Sequence, residues 1–378
     1  MFRKIAFATG WAMLALLAFG CGPSEPNNGA PPSSGGPANT SAGTSAGTSS
    51  SGSTSSAAGG SGALIGVSLS SRNHNFFLGM EQGVQDELKA EGLQSETVVA
   101  ENDASTQQQQ VDTLIRKGVK AIIMVPVDAE QAATPIAAAN KANIPVFCID
   151  RRIKSADARV TATIETDNVG MGEDAAKYAL KLLCDRRKLD STKPDDVKKL
   201  KTTVVHLWGL EAASSAQDRA QGFEKVFNPA NTPGVNVLKA VGEFNAKKAQ
   251  EVMGPLLRAH PEVELVYCHN DDNAIGALNA IIDIKKQREA PTDPKRILIV
   301  SIDGNKPAIE AIRKGDIEAT VAQEPIQMGS ECVKQVKKVV DGGKPDKDYI
   351  AIPHSLITKK EADEKKGQLW ADQLRAAK

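Results

Sequence analysis

Val146-Phe147-Cys148-Ile149 is an unbroken apolar run that passes directly into the charged pair Asp150-Arg151. A short run without polar alternation is typical of a strand in a parallel sheet whose two faces are both covered. In an open parallel sheet, ligands bind in the crevice beyond the carboxyl ends of the strands, so we expect Asp150 and Arg151 to lie there. A carboxylate and a guanidinium can each pair with two neighbouring hydroxyl groups.

Three more apolar runs end in the same way, in clusters of hydrogen-bonding side chains. They are Val266-Tyr267-Cys268 before His269-Asn270-Asp271, Ile297 to Ile302 before Asp303-Gly304, and Thr320-Val321-Ala322 before Gln323-Glu324. A crevice that collects these groups suits a small polyhydroxylated molecule.

Around these runs, the chain alternates strands and helices from Ala63 onward. The predicted strands are residues 64–70, 94–100, 119–126, 144–149, 159–165, 202–208, 235–241, 263–269, 296–302 and 317–322. The predicted helices are residues 76–91, 104–117, 128–142, 168–184, 214–227, 246–259, 272–286, 306–314 and 325–341. The alternation predicts an α/β fold with parallel sheets and right-handed crossovers.

Ten strands allow one large sheet or two of about five. The charged segment from Asp185 to Lys201 separates two series and favours two similar, Rossmann-like lobes. The charged tail beyond Lys359 has helical spacing and is expected to cap the body.

The N-terminus resembles an export signal. Arg3-Lys4 precede an apolar stretch from Ile5 to Phe19, which is shorter than the about 20 residues of a membrane span. Gly20-Cys21 resembles a bacterial lipobox, although Phe19 departs from the small residue usual there, so ordinary secretion stays open. We expect residues 1–21 to be a lipoprotein signal peptide with anchor Cys21, and residues 22–62 to be a disordered tether rich in Ser, Gly and Pro.

The net charge bears on nucleic-acid binding, and the cysteine positions bear on disulfide formation. The 378 residues carry a formal net charge of zero, which gives no case for nucleic-acid binding. Apart from Cys21, the cysteines are Cys148, Cys184, Cys268 and Cys332. Cys148 and Cys268 lie in apolar strand patterns and are expected to be buried free thiols, but an exported protein can also form disulfides and the sequence does not choose a pairing.

Motifs spread through the chain resemble those of one family. They are Ile65 to Phe77, Ala142-Asn143-Ile144-Pro145-Val146 with Asp150-Arg151, Thr166-Asp167-Asn168, and Asp218-Arg219-Ala220-Gln221-Gly222-Phe223. From about Ala63 to Thr358, the chain resembles periplasmic sugar-binding proteins of the ribose-binding type, the receptors of ABC importers.

This resemblance implies a type I periplasmic binding protein fold, in which two lobes are joined by a three-segment hinge. The first lobe would comprise residues 63–166 and 324–352, and the second residues 167–323 and 353–378. The implied partners are a monosaccharide and an inner-membrane ABC permease, for a monomer that is anchored in the cell envelope and carries no cofactor or metal.

The resemblance also implies a set of ligand contacts. These are Ser70, His74, Phe76, Phe77, Asp150, Arg151, Arg219, Phe244, Asn270, Asp303 and Gln323. His74 and Val125 stand where the ribose-binding pattern carries asparagines, so the sugar is expected to differ from ribose or to be oriented differently.

Each contact has a plainer structural alternative. The phenylalanines could fill the core at helix starts, and adjacent Phe76 and Phe77 are not expected to face the cleft equally. Asp150-Arg151 could form a surface salt bridge, and Arg219 could lie on a solvated helix face. Asn270 and Asp303 could be helix N-caps, a role that the sequence favours for Asp271, and Asp303 before Gly304 could also form a turn. His74 could be a solvated loop residue.

Three other functions compete with a sugar importer's receptor. A glycosidase needs two carboxylates about 5–5.5 or 6.5–9.5 Å apart, and Asp150 with Asp303 is the plausible pair. The sequence has no His-Glu-x-x-His motif, nucleophile elbow or phosphate loop. A cytoplasmic sugar-responsive repressor would carry a helix-turn-helix where this chain has a leader and tether. The main alternative is a sugar sensor that signals to a membrane chemoreceptor or kinase.

Overall fold

Two six-stranded sheets form the framework of the computed structural model, which describes residues 62–285 and 296–375. The predicted leader, Cys21 and residues 22–61 of the predicted tether lie outside these residues. Within the described ranges, no helix is both long enough and apolar enough to cross a membrane.

Strands and helices alternate along most of the chain. The strands are β1 (Leu64–Leu69), β2 (Gln94–Val99), β3 (Ala121–Met124), β4 (Val146–Ile149), β5 (Ala162–Thr166), β6 (Thr202–Trp208), β7 (Val235–Val241), β8 (Val263–Cys268), β9 (Leu298–Asp303), β10 (Ala319–Ala322), β11 (Tyr349–Ile352) and β12 (Ser355–Thr358). The helices are α1 (Asn75–Ala90), α2 (Ala104–Arg116), α3 (Ala133–Lys141), α4 (Asn168–Asp185), α5 (Pro194–Val197), α6 (Ser214–Val226), α7 (Ala246–Ala259), α8 (Asp271–Lys285), α9 (Lys306–Lys314), α10 (Pro325–Val340), α11 (Lys359–Glu364) and α12 (Trp370–Gln373).

The first sheet has the order β11-β5-β4-β3-β1-β2, and all its neighbouring strands are parallel. The second has the order β12-β10-β9-β8-β6-β7 and is parallel except for β12, which runs antiparallel to β10. The chain passes between the two sheets after Thr166, after Ala322 and between Ile352 and Ser355. The predicted two-lobed α/β fold is therefore confirmed.

The apolar strands are buried on both faces, as their composition predicts. Alternate residues of β3 enter different clusters: Ala121 and Ile123 pack on one side of the sheet, and Ile122 and Met124 on the other. Cys148, Cys184, Cys268 and Cys332 are buried and unpaired. Burial raises the pKa of the Cys148 thiol to about 12, so this side chain packs as a small apolar group.

The structure corrects several predicted elements. All ten predicted strands are present, but β11 and β12 were missed because each has only four residues in a partly exposed segment. Helix α3 begins at Ala133 instead of residue 128, since the Asp128 carboxylate accepts hydrogen bonds from the main-chain N–H groups of Glu130 and Gln131 in a turn. The short helix α5 was not predicted.

Candidate functional site

A cavity lies where the carboxyl ends of strands from both sheets meet. Its volume is about 290 Å³, which includes space open to solvent. Ten of the eleven predicted ligand residues line it. They are His74, Phe76, Phe77, Asp150, Arg151, Arg219, Phe244, Asn270, Asp303 and Gln323, joined by Ser215. The exception is Ser70, which is fully buried and is not part of the cavity wall.

Asp150 and Arg151 follow β4 directly and are both buried, so the alternative of a surface salt bridge is wrong. Asp150 has a left-handed φ of 67°, which turns the chain at the end of the strand. Burial raises the pKa of Asp150, and the positive charges of Arg151 and Arg219 oppose that rise. The Arg151 Nε lies 3.6 Å from Asp150 Oδ2 and has no hydrogen-bond partner in the described protein. A ligand oxygen is the natural acceptor for such a group.

Arg219 is fixed by acceptors from two other segments of the second lobe. Its Nε donates to Asn168 Oδ1 (2.9 Å) and its Nη1 to the main-chain oxygen of His269 (2.6 Å). The same Nη1 lies 3.4 Å from Asp303 Oδ1. The arginine is buried, so the alternative of a solvated helix face is wrong. Protein groups thus hold its position, and such preorganisation reduces the entropy cost of binding.

Asp303 and Gln323 approach the cavity from β9 and from the crossing after β10. Gln323 Nε2 donates to Asp303 Oδ1 (2.8 Å), while Gln323 Oε1 is buried without a partner among the described residues. Burial raises the pKa of Asp303, and the Arg219 charge opposes the rise. The N-cap of α9 is Asn305 and not Asp303, so the capping alternative for Asp303 is wrong.

Asn270 combines the two roles that the sequence left open for it, a cavity contact and a helix cap. Asn270 lines the cavity and its Oδ1 also accepts the main-chain N–H of Asn273 (2.9 Å), as an N-cap does. Asp271 is not that cap: its buried carboxylate accepts hydrogen bonds from Thr320 Oγ1 (2.8 Å), Ser301 Oγ and the Asn305 N–H (2.6 Å). These bonds connect the end of β8 to β9 and β10, the strands that precede Asp303 and Gln323 or carry them.

Three aromatic rings contribute the apolar part of the wall. Phe76 and Phe77 meet edge to face, with centroids 5.5 Å apart and planes at 72°, which lets both adjacent residues reach the cavity. Phe244 opposes them from the second lobe, and the Arg151 guanidinium carbon lies 5.5 Å from the Phe77 centroid and 5.7 Å from that of Phe244. Aromatic faces with polar groups around them match the apolar C–H faces and hydroxyl rim of a sugar ring.

His74 is not a solvated loop residue. It is buried, and its Nδ1 lies 3.2 Å from Asp272 Oδ2, which joins the start of α1 to the start of α8. Ser215 is the cavity residue that sequence reasoning missed. It lies one helical turn before Arg219, on the same face of α6, and this spacing is the signal that could have identified it.

Comparison with known proteins agrees with this geometry. Residues 65–344 match the family described as periplasmic binding protein domain. The ribose import binding protein of Bacillus subtilis (strain 168) is 32% identical over 296 residues, covering 78% of this chain and 87% of that protein.

Two solved structures are also similar. One is the periplasmic binding protein of the arabinose ABC transporter from Shewanella sp. ANA-3, bound to α- and β-L-arabinofuranose, with 27% identity, a TM-score of 0.71, and coverage of 83% of this chain and 99% of that one. A galactofuranose binding protein has 26% identity, a TM-score of 0.71, and coverage of 82% and 99%. The chain therefore belongs to the periplasmic binding protein family and, within it, to the sugar-binding proteins of the ribose type.

Proposed function

We propose that this protein is the substrate-binding receptor of an ABC-type sugar importer and that it closes its two lobes around one monosaccharide. The observation that carries the proposal is the convergence of Asp150-Arg151 from one lobe with Arg219 and Asp303 from the other around a single aromatic-walled cavity. Lobe closure buries the ligand, and a permease can distinguish the closed form from the open one. The lobes that move would be residues 63–166 with 324–352, and residues 167–323 with 353–378.

The ligand is a pentose or a related sugar with a similar hydroxyl pattern. The similar proteins named above are associated with ribose, L-arabinofuranose and galactofuranose. His74 and Val125 replace two amides of the ribose-binding pattern, and the His74 ring lies in the cavity wall, which supports a sugar other than ribose. A buried site built for one hydroxyl pattern disfavours others, because its own polar groups would be left unpaired.

The same cavity argues against glycoside hydrolysis. Asp303 already accepts a hydrogen bond from Gln323 and lies beside Arg219, and Asp150 lies beside Arg151. Each carboxylate is therefore arranged as a hydroxyl acceptor in a binding site. The similar proteins are named as binding proteins of importers, which favours import over a signalling role and supports a protein without enzymatic activity.

The protein would act in the periplasm as a monomer, held in the envelope by a lipid on Cys21. Metabolic labelling with radioactive palmitate tests the anchor: the label should appear on the wild type and be lost in Cys21→Ala. An unlabelled wild-type protein of processed mass would favour ordinary secretion.

Calorimetric titration with a panel of pentoses and hexoses tests the receptor. Mass spectrometry of small molecules that co-purify with the protein identifies the physiological sugar independently. We expect one-to-one binding of at least one sugar in the panel; failure of every sugar, with nothing co-purifying, would overturn the proposal.

A further inference from the structure

Three charged side chains form a cluster just outside the cavity wall. Arg152 follows the cavity residue Arg151, and its Nη1 lies 2.8 Å from Glu165 Oε1 and 2.6 Å from Asp218 Oδ2. Glu165 belongs to β5 of the first sheet, whereas Asp218 belongs to α6, which packs on the second. One guanidinium therefore contacts carboxylates of both lobes.

Two hydrogen bonds, each donated by a main-chain N–H group, join the lobes in the same region. The Arg152 N–H donates to Ser214 Oγ (3.0 Å), and the Ala129 N–H donates to the main-chain oxygen of Ala212 (3.1 Å). None of these four residues lines the cavity. The lobes in this structure thus share contacts that are separate from those available to a sugar.

We propose that Arg152 is an interlobe latch, which stabilises the closed form through Asp218 and thereby sets how tightly the sugar is held. The proposal rests on the proposed function, since it assumes that the lobes open and close around a ligand. Contacts that exist only in the closed form raise its population, and ligand affinity rises in proportion to the fraction of binding-competent protein.

Glu165 gives Arg152 a partner that does not depend on closure. Its side chain is fully buried and lies in the same lobe as Arg152, so this ion pair persists when the lobes separate. Closure then adds Asp218 to an arginine that is already oriented, which lowers the entropy cost of making the interlobe contact. The Arg152 side chain is 38% exposed, so the interlobe pair is screened by salt and its contribution is moderate.

Asp218→Asn is the decisive variant, because it removes the interlobe charge while keeping the side-chain shape and the Arg152–Glu165 pair. We expect the dissociation constant of the sugar identified by titration to rise roughly fivefold, mainly through faster dissociation. The matched control is Lys225→Ala on the same helix, which removes a 3.0 Å ion pair to Glu173 within the second lobe. This control should leave the dissociation rate unchanged.

Asp218 precedes the cavity residue Arg219, so a second measurement must separate the latch from a local disturbance. Hydrogen–deuterium exchange at the Ala129 amide provides it, because this N–H is bonded across the lobes and lies away from the charged cluster in sequence. In ligand-free protein, exchange at Ala129 should be faster in Asp218→Asn than in the wild type or in Lys225→Ala. A double variant with Arg152→Ala should dissociate no faster than Arg152→Ala alone.

Unchanged Ala129 exchange in Asp218→Asn, or additive losses in the double variant, would overturn the latch. If the wild type binds no sugar, the proposed function fails instead, and the exchange measurement on ligand-free protein still decides whether Asp218 holds the lobes together.

Discussion

The indole Nε1 of Trp370 donates a hydrogen bond to the main-chain oxygen of Asp303 at a distance of 3.0 Å. Asp303 has a φ of 127°, a conformation that is unfavourable for a residue with a side chain and persists only where surrounding contacts enforce it. Trp370 is almost fully buried and also lies beside Gly79 of α1 in the first lobe. Trp370, in the segment beyond Lys359, thus holds the main chain of the cavity residue Asp303 in place.

We expect Trp370→Phe to weaken both folding and sugar binding. The substitution removes the indole donor, while the Asp303 carbonyl oxygen keeps the Gln323 N–H as a donor at 3.0 Å. The loss is therefore that of one hydrogen bond, about 0.5–1.5 kcal/mol of unfolding free energy. Sugar affinity should fall as well, because the Asp303 carboxylate loses its enforced orientation. Urea unfolding and calorimetric titration measure the two effects.

Arg375→Ala is the control for this prediction. Arg375 also belongs to the tail, but its pair with Asp86 of α1 is exposed and contributes less than about 1 kcal/mol. Equal losses in the two variants would mean that docking of the whole tail matters and that the Trp370–Asp303 bond has no special role.

Gly209→Ala should disturb the cavity from outside it. A Cβ at Gly209 would lie 2.1 Å from the Phe244 ring, so the ring must move, and Phe244 forms part of the cavity wall. We expect at least a tenfold loss of sugar affinity, about 1.4 kcal/mol. Gly254→Ala in α7 is the control, since its nearest neighbour is 3.6 Å away, and it should keep affinity while gaining up to about 1 kcal/mol of stability. Normal affinity in Gly209→Ala would mean that Phe244 does not define the binding geometry.

The cavity residues that could be predicted from sequence share a local signal. Asp150, Asn270, Asp303 and Gln323 each stand where an apolar run stops, and the geometry of a parallel sheet then places those ends together. The resemblance to a known family supplied Arg219, which lies within α6 and not at a strand end.

The features that were missed depend on contacts between distant segments. Asp271 looks like a helix cap, but its role comes from Thr320 and Asn305, which approach it from other elements. Trp370 stands in a charged tail and gives no local sign that its ring reaches Asp303. Ser70 matched a motif at the end of β1, yet it is fully buried and is not part of the cavity wall.

Arg151→Ala should weaken sugar binding at least tenfold without unfolding the protein. The guanidinium is buried between two rings of the cavity wall, and its Nε has no acceptor among the described residues, so a ligand hydroxyl would complete its hydrogen bonds. Arg219 still offsets the Asp150 charge in the variant, which limits the loss of stability. Titration and thermal unfolding test this, with the exposed Arg159→Ala as a control for loss of a positive charge. An unchanged affinity in Arg151→Ala would place the ligand elsewhere.

A pair of buried histidines in the second sheet, on β6 and after β8, predicts how stability depends on pH. The Nε2 atoms of His206 and His269 lie 2.8 Å apart, so one ring donates to the other and the accepting ring must be neutral. Burial lowers the pKa of His206 to about 3 and that of His269 well below its usual value. Between pH 6.5 and 3, the unfolded chain therefore binds protons that the folded protein excludes, and the free energy of unfolding falls as the pH falls.

His206→Gln isolates this effect, because it removes one titrating ring and retains an amide that can donate to His269. Between pH 7 and pH 5, the wild type should lose about 2 kcal/mol more unfolding free energy than the variant, since the buried carboxylates titrate alike in both proteins and cancel in the difference. Urea unfolding at several pH values measures it. If His206→Gln follows the wild-type profile, His206 is protonated in the folded protein at pH 5, and the neutral hydrogen-bonded pair does not exist there.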